Sequence, residues 1–229
     1  MVFGISFLSV SENLLEAPFE LLFEDSALLV FNKPSGLLSV PGKGPEKADC
    51  LRTRVQQVYP EALTVHRLDM STSGILLMAR SAALHRTLSI AFQDREVKKR
   101  YIAVVDGQML ESSSEEWQLI DKPIANDWIN RPLMKIDPIE GKPSQTHYKI
   151  VSYDAATDST RLELAPITGR THQLRVHLQS LGHPILGDHL YASPEVMAKS
   201  ARLMLHASQL TFRHPVTGEV IDLHCNPPF

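Results

Sequence analysis

Between His66 and Ala79 the sequence passes abruptly from turn chemistry to a strand. His66-Arg67-Leu68-Asp69-Met70-Ser71-Thr72-Ser73-Gly74 is crowded with Asp, Ser, Thr and Gly, residues that bend a chain. Ile75-Leu76-Leu77-Met78-Ala79, ended by Arg80, is a short apolar run of the kind that forms a buried strand. Asp69 therefore sits in a turn at the mouth of a sheet, two residues after Arg67. Such a position suits an ionised carboxylate held for chemistry, and it suits equally an Asx-turn in which the aspartate only caps its own backbone. Arg67 is open to both readings, as partner of that carboxylate or as a surface base.

The flanking chain supplies a sheet for this turn to sit on. Phe19 to Phe31 holds two apolar runs parted by Glu24-Asp25-Ser26, which predicts a hairpin broken off by Asn32-Lys33-Pro34-Ser35-Gly36. Leu51, Val55 and Val58 fall at helical spacing before Pro60, and Ser81 caps a helix predicted to reach about Glu96. Further strands are predicted at Ile102–Val105, Trp117–Ile120, Thr146–Ser152, Arg161–Ala165, Leu203–Phe212 and Glu219–Leu223, with Ser112–Glu116 as a loop tip. Thr168-Gly169-Arg170-Thr171 is expected to open a helix running to Leu181 before Gly182 and Pro184. Strands outnumber helices and include hairpins. The expected class is α+β with a mixed, largely antiparallel sheet, in one catalytic domain over residues 19–229 preceded by an acidic arm at 1–18.

Charge narrows the partners only after its distribution is considered. The 229 residues carry a net charge of −3, but ten of the 26 acids lie in residues 12–25 and 106–121, which hold no Lys or Arg. The rest of the chain has 16 acids against 23 bases, so a local phosphate-binding face is compatible with the acidic total. No apolar run approaches the length of a membrane span, and the N-terminal stretch lacks the basic start of a signal peptide. Cys50 and Cys225 form no CxxC pair and read as reduced, cytosolic thiols.

Several residues carry possible chemistry. Arg170, expected in the first turn of its helix, would meet the positive end of the macrodipole, a placement that a nearby carboxylate or phosphate would offset. Leu174 and His177 lie on the same helical face as Arg170, giving a cation beside an aliphatic plate that could pair an anion while packing a flat ring. Tyr101 begins a strand directly after Lys98-Lys99-Arg100; the tyrosine is either core or site, and the bases either phosphate contacts or a solvated helix exit. Among the ten histidines, His172 and His177 are off the i, i+4 spacing of a helical zinc pair, and no HExxH or Cys/His knuckle occurs, so no metal is expected. Nor is there a Gly-rich phosphate loop or a GxSxG elbow, and no cofactor is expected.

HRLDMSTSG resembles the catalytic motif of the RluA family of RNA pseudouridine synthases. Asn32–Gly36 resembles the family's first motif, Lys99-Arg100-Tyr101 its basic-plus-tyrosine motif, Ile167–Arg175 with Gly182–Asp188 its late motif, and Leu203–Ala207 its last. Gly36–Gly42 and Asp127–Pro132 are similar to the short RluA branch, which lacks the S4 RNA-binding domain of larger relatives; none is expected here. Members closest in pattern modify both a 23S rRNA loop and the tRNA anticodon stem-loop.

The resemblance implies a cofactor-free isomerisation on RNA, by a cytoplasmic monomer with no membrane or metal partner. Asp69 would be the nucleophile, by attack on the sugar or through a glycal, with Arg170 as the guanidinium that keeps it charged. Tyr101 would pack on the uracil and help remove the C5 proton, and Leu174 and Leu205 would form apolar walls. The target base must be flipped from its stack; Arg67 would fill the vacancy or hold the extruded nucleotide, while Lys98, Lys99 and Arg131 would contact phosphates. Two rival readings remain: a non-catalytic RNA-binding module on the same fold, and a glycosidase, which would need a second carboxylate within about 5–10 Å of the first.

Overall fold

The computed structural model describes residues 19–109 and 116–229; the acidic arm and most of the Ser112–Glu116 loop tip lie outside the described residues. The first hairpin forms as expected, β1 (Glu20–Glu24) against β2 (Leu28–Lys33), with the Asp25 carboxylate accepting from the amides of Ala27 and Leu28 to hold the turn. After a one-turn helix α1 (Leu51–Gln56) and the short β3 (Leu63–Thr64) comes β4 (Ser73–Ala79), the strand that follows the Asp69 turn. Helix α2 (Ala82–Gln93) is capped by Ser81, whose hydroxyl accepts from the Leu84 amide. Strand β5 (Lys98–Asp106) is followed by β6 (Gln118–Asp121), a small hairpin of β7 (Ile124–Asn126) and β8 (Met134–Ile136), and the long pair β9 (Gln145–Asp154) and β10 (Ser159–Pro166). Helices α3 (Gln173–Gln179) and α4 (Pro194–Ala198) precede the closing strands β11 (Leu205–Arg213) and β12 (Val220–His224).

Among the described residues these strands make one large sheet in the order β1-β2-β4-β11-β5-β10-β9-β6, with β3 on β4 and β12 on β11. The β4–β11 contact is parallel, and the other pairings are antiparallel. The expected α+β class with a mixed, largely antiparallel sheet is what forms. The apolar runs of β2 and β4 lack polar alternation because both faces of the sheet are covered there. Leu28, Val30, Ile75 and Leu77 pack with α2, whereas Leu29, Phe31, Leu76 and Met78 pack with Leu51 and Val55 of α1. A third cluster joins β5, β9, β10 and β11 to Leu174 and Leu178 of α3. No helix among the described residues is long and apolar enough to cross a membrane.

Two sequence expectations are corrected. The strand after the Asp69 turn begins at Ser73, within the polar run. Gly74 has φ +114°, and a Cβ there would lie 2.3 Å from the Ala207 carbonyl oxygen; only glycine lets β4 and β11 approach this closely. Ser73 is buried because its hydroxyl is satisfied, at 2.8 Å from His206 Nδ1 and contacted by the Arg202 guanidinium. The second correction concerns α3, which starts at Gln173 and not at Thr168. The Gln173 carboxamide oxygen accepts from the Thr168 hydroxyl and the Arg170 amide, and His172 adopts φ +53°, so the preceding residues are held in a side-chain-tied turn. Arg170 therefore lies outside the first helical turn, and the macrodipole argument for it lapses.

Candidate active site

One row across the sheet organises the site. Lys33 of β2 pairs with Gly74 of β4, Gly74 with Ala207 of β11, Ala207 with Tyr101 of β5, and Tyr101 with Leu164 of β10. At the spacing of neighbouring strands this sets Tyr101 about 10 Å from Gly74, on the far side of β11. The turn carrying Asp69 closes with the Thr72 amide donating to the Asp69 carbonyl, 3.1 Å away.

The Asn32–Gly36 segment braces that turn from below. Lys33 is wholly buried, and its ammonium donates to the carbonyls of Pro34, Leu37 and Met70 at 2.8, 2.7 and 3.1 Å. Ser35 Oγ donates to the Ser71 carbonyl, the Gly36 amide donates to that of Met70, and Ser39 Oγ bonds both the amide and the carbonyl of Leu68. The carbonyls of Leu68, Met70 and Ser71 are thus tied to residues between Lys33 and Ser39, and that of Asp69 to the Thr72 amide, which leaves the Asp69 side chain out of the bracing. Burial lowers the Lys33 ammonium to about 7, against the opposing attraction of Asp69.

Above the turn opens a cavity of about 590 Å³ lined by Arg67, Asp69, Lys99, Tyr101, Arg170, Leu174, Arg175 and Leu205, among others. The expected carboxylate, tyrosine and two leucines thus meet in one place. The guanidinium beside the carboxylate is a different one from that expected. Arg175 Nη1 lies 3.6 Å from Asp69 Oδ2, whereas Arg170 is exposed and among the described residues its guanidinium donates to the Pro143 carbonyl alone, at 3.5 Å. Arg175 is 2% exposed and is aimed by Asp188: Nε and Nη2 grip the two Asp188 oxygens at 2.8 and 2.6 Å, leaving Nη1 for Asp69. Asp188 Oδ1 also accepts from the amides of Leu190 and Tyr191. Asp188 is therefore a second carboxylate close to the first, but it is fully buried and saturated with donors, unfit for the acid or base role a glycosidase pair requires.

The remaining walls set the local polarity. His66 stacks on Phe92 at 4.6 Å, and its Nε2 accepts from the Leu77 amide; burial, with Lys99 nearby, pushes its imidazole down to about 3, so it is neutral. Burial raises the Tyr101 phenol, as does the Asp69 carboxylate, keeping the hydroxyl protonated. Lys99 is lowered by burial and has no carboxylate partner among the described residues, and Arg67 stands exposed at the rim. His172 Nδ1 bonds the Tyr191 hydroxyl at 2.7 Å, which also accepts from the Met134 amide and so ties the β7–β8 hairpin to the site. Two expected contacts do not line the cavity: Lys98 points away from Tyr101 along β5, and Arg131 lies at the β7–β8 tip, stacked 4.0 Å over Trp128.

Sequence reasoning missed Arg175, Asp188 and the bracing role of Lys33. A signal for Arg175 was present: it stands between Leu174 and Val176 in a helix buried on almost every side, where a cation requires a buried anion.

The chain is similar to known proteins over most of its length. A family model described as RNA pseudouridylate synthase matches residues 27–180. The chain is 51% identical over 198 residues to the dual-specificity RNA pseudouridine synthase RluA of Escherichia coli (strain K12), spanning 86% of this chain and 88% of that one. It is 49% identical over 208 residues to the protein of the same name from Yersinia pestis, spanning 91% and 98%. Among solved structures, human RNA pseudouridylate synthase domain containing 1 is similar with TM-score 0.77 and 29% identity, over 93% of this chain and 85% of that one.

Proposed function

Because the chain belongs to the RNA pseudouridylate synthase family, we propose that it converts particular uridines of structured RNA loops to pseudouridine through Asp69. The observation that carries this assignment of the nucleophile is the Asp69 carboxylate, facing the basic cavity with Arg175 Nη1 at 3.6 Å. The C1′–N1 bond breaks as the carboxylate attacks or assists at the sugar, the uracil turns, and C5 joins C1′. The C5 proton is then lost and N1 gains one, so atoms balance with no redox step. Tyr101 packs on the ring and its hydroxyl relays the C5 proton; Leu174 and Leu205 hold the ring's edges. Arg175, oriented by Asp188, keeps the carboxylate aimed and charged partners balanced as the sugar loses its base.

The target must leave its stack to enter the cavity. Arg67 holds the extruded nucleotide or fills its place, and Lys99 with Arg170 meets phosphates at the cavity rim, while Lys98 and Arg131 serve the flanking backbone. Residues 19–229 act as one catalytic unit, working as a cytoplasmic monomer. The words "dual-specificity" in the names of the relatives support two kinds of RNA target; the motif resemblance makes these a 23S rRNA loop and the tRNA anticodon stem-loop. Pseudouridine mapping of rRNA and tRNA from a deletion strain tests this. Both RNAs should each lose a pseudouridine, restored by the gene; unchanged maps would refute the assignment, and loss from one class alone would refute dual use.

A further inference from the structure

Strand alternation splits the basic run of β5 between two hollows. Lys99 and Tyr101 face the cavity above Asp69, whereas Lys98 and Arg100 face the other side of the sheet. There a second hollow, of about 420 Å³, is lined by Arg95, Lys98, Arg100, Trp117 and His147. It shares Arg95, Lys99, Pro166 and Ile167 with the first, so the two are continuous round the ends of β5 and β10. Four features mark it as a place for a planar, hydrogen-bonding group on a phosphate chain. Trp117 is 37% exposed, and the Arg100 guanidinium stacks 4.2 Å over its ring. His147 Nδ1 is buried with no hydrogen-bond partner among the described residues. Arg95 and Lys98 are exposed at its edge, and no ion pair engages either among the described residues.

Resting on the function proposed above, we propose that this hollow is a second nucleotide subsite: it takes an unpaired base of the same RNA strand, next to the uridine held at Asp69. The base stacks on the Trp117–Arg100 pair, its edge donates to or accepts from His147 Nδ1, and the connecting phosphate passes Lys99, which lines both hollows. Aromatic and guanidinium planes are the surfaces on which unstacked RNA bases are held. An RNA strand fits better than an acidic peptide, because a peptide would match the cations but leave the stacked pair and the buried imidazole nitrogen unused.

The test is a double-mutant cycle with a synthetic tRNA anticodon stem-loop in which each nucleotide flanking the target is replaced in turn by an abasic residue. Wild-type protein should bind one of these abasic RNAs roughly 5- to 100-fold more weakly than the intact RNA. Trp117→Ala should bind the intact RNA with a similar loss, and lose no more on that abasic RNA. Trp117→Phe should retain affinity within about twofold. Should Trp117→Ala fail to fold, His147→Ala runs the same cycle. Additive losses, or no loss with any abasic RNA, would overturn the subsite. If wild type shows the coupling but releases no C5 tritium from the RNA, the catalytic reading fails and the subsite stands. If wild type releases tritium but the losses add, the subsite alone fails. Binding no tighter than to a scrambled strand contradicts both.

Discussion

At the scale of single residues, the site depends on a buried guanidinium shared between two carboxylates. Asp188, fully buried, and Arg175 make a bidentate pair, and that pair fixes where Nη1 points. Asp188→Asn removes the charge that balances Arg175 in the interior, a change that destabilises by roughly 3 kcal/mol. Loss of aim at Asp69 should slow single-turnover isomerisation about 100-fold. Urea unfolding and rapid-quench assays check the two effects; a wild-type rate would deny Asp188 its positioning role. Tyr101→Phe keeps the ring but not the hydroxyl. It should bind RNA like wild type while turnover falls by about 100-fold or more, and an unaltered rate would remove the phenol from proton transfer. Taken by themselves, Asp69 and Tyr101 stood open in the sequence between structural and chemical readings, and it was the resemblance of their motifs to a family's that singled them out. The choice between Arg170 and Arg175 was not local. It depends on Asp188, 13 residues beyond Arg175, and on a turn held by Thr168 and Gln173 that helical spacing does not show.

Among the elements, the join between β4 and β11 is a tight constraint. Gly74→Ala places a Cβ against the Ala207 backbone at a positive φ, and should destabilise by about 3 kcal/mol through strain and overpacking together. Thermal unfolding measures it, and a shift within error would show that the strands can part there without cost. α2 and the β9–β10 pair were legible from their period, and β4 from its unbroken apolar run, because their burial is set by covering layers on the sheet. The β7–β8 hairpin and α4 were not, since elements of three to five residues carry too little periodicity. The same hairpin is tied to the site through Tyr191 and His172.

Over the whole molecule, two imidazoles report on the intact sheet. His66 is pushed down to about 3 and His206 to about 4, burial being the main cause in both. The unfolded chain protonates a histidine near 6.5. Between these values the unfolded state binds more protons, so the stability from each neutral imidazole is present above about 6.5 and lost as pH falls toward 4 and 3. Each should cost about 2 kcal/mol of stability between pH 7 and pH 5. His206→Gln should therefore flatten the decline seen by urea unfolding at those two pH values, and an identical pH dependence would contradict the buried, neutral state of His206.

Asp69 gives the most direct test of the mechanism. Purified protein is incubated with RNA labelled with tritium at uridine C5, and released tritium is counted alongside RNA affinity. Wild-type protein should release tritium as pseudouridine forms, whereas Asp69→Asn should release none above background and still bind the RNA within a few-fold. Tritium release by Asp69→Asn at a rate near wild type would contradict the claim that this carboxylate does the chemistry.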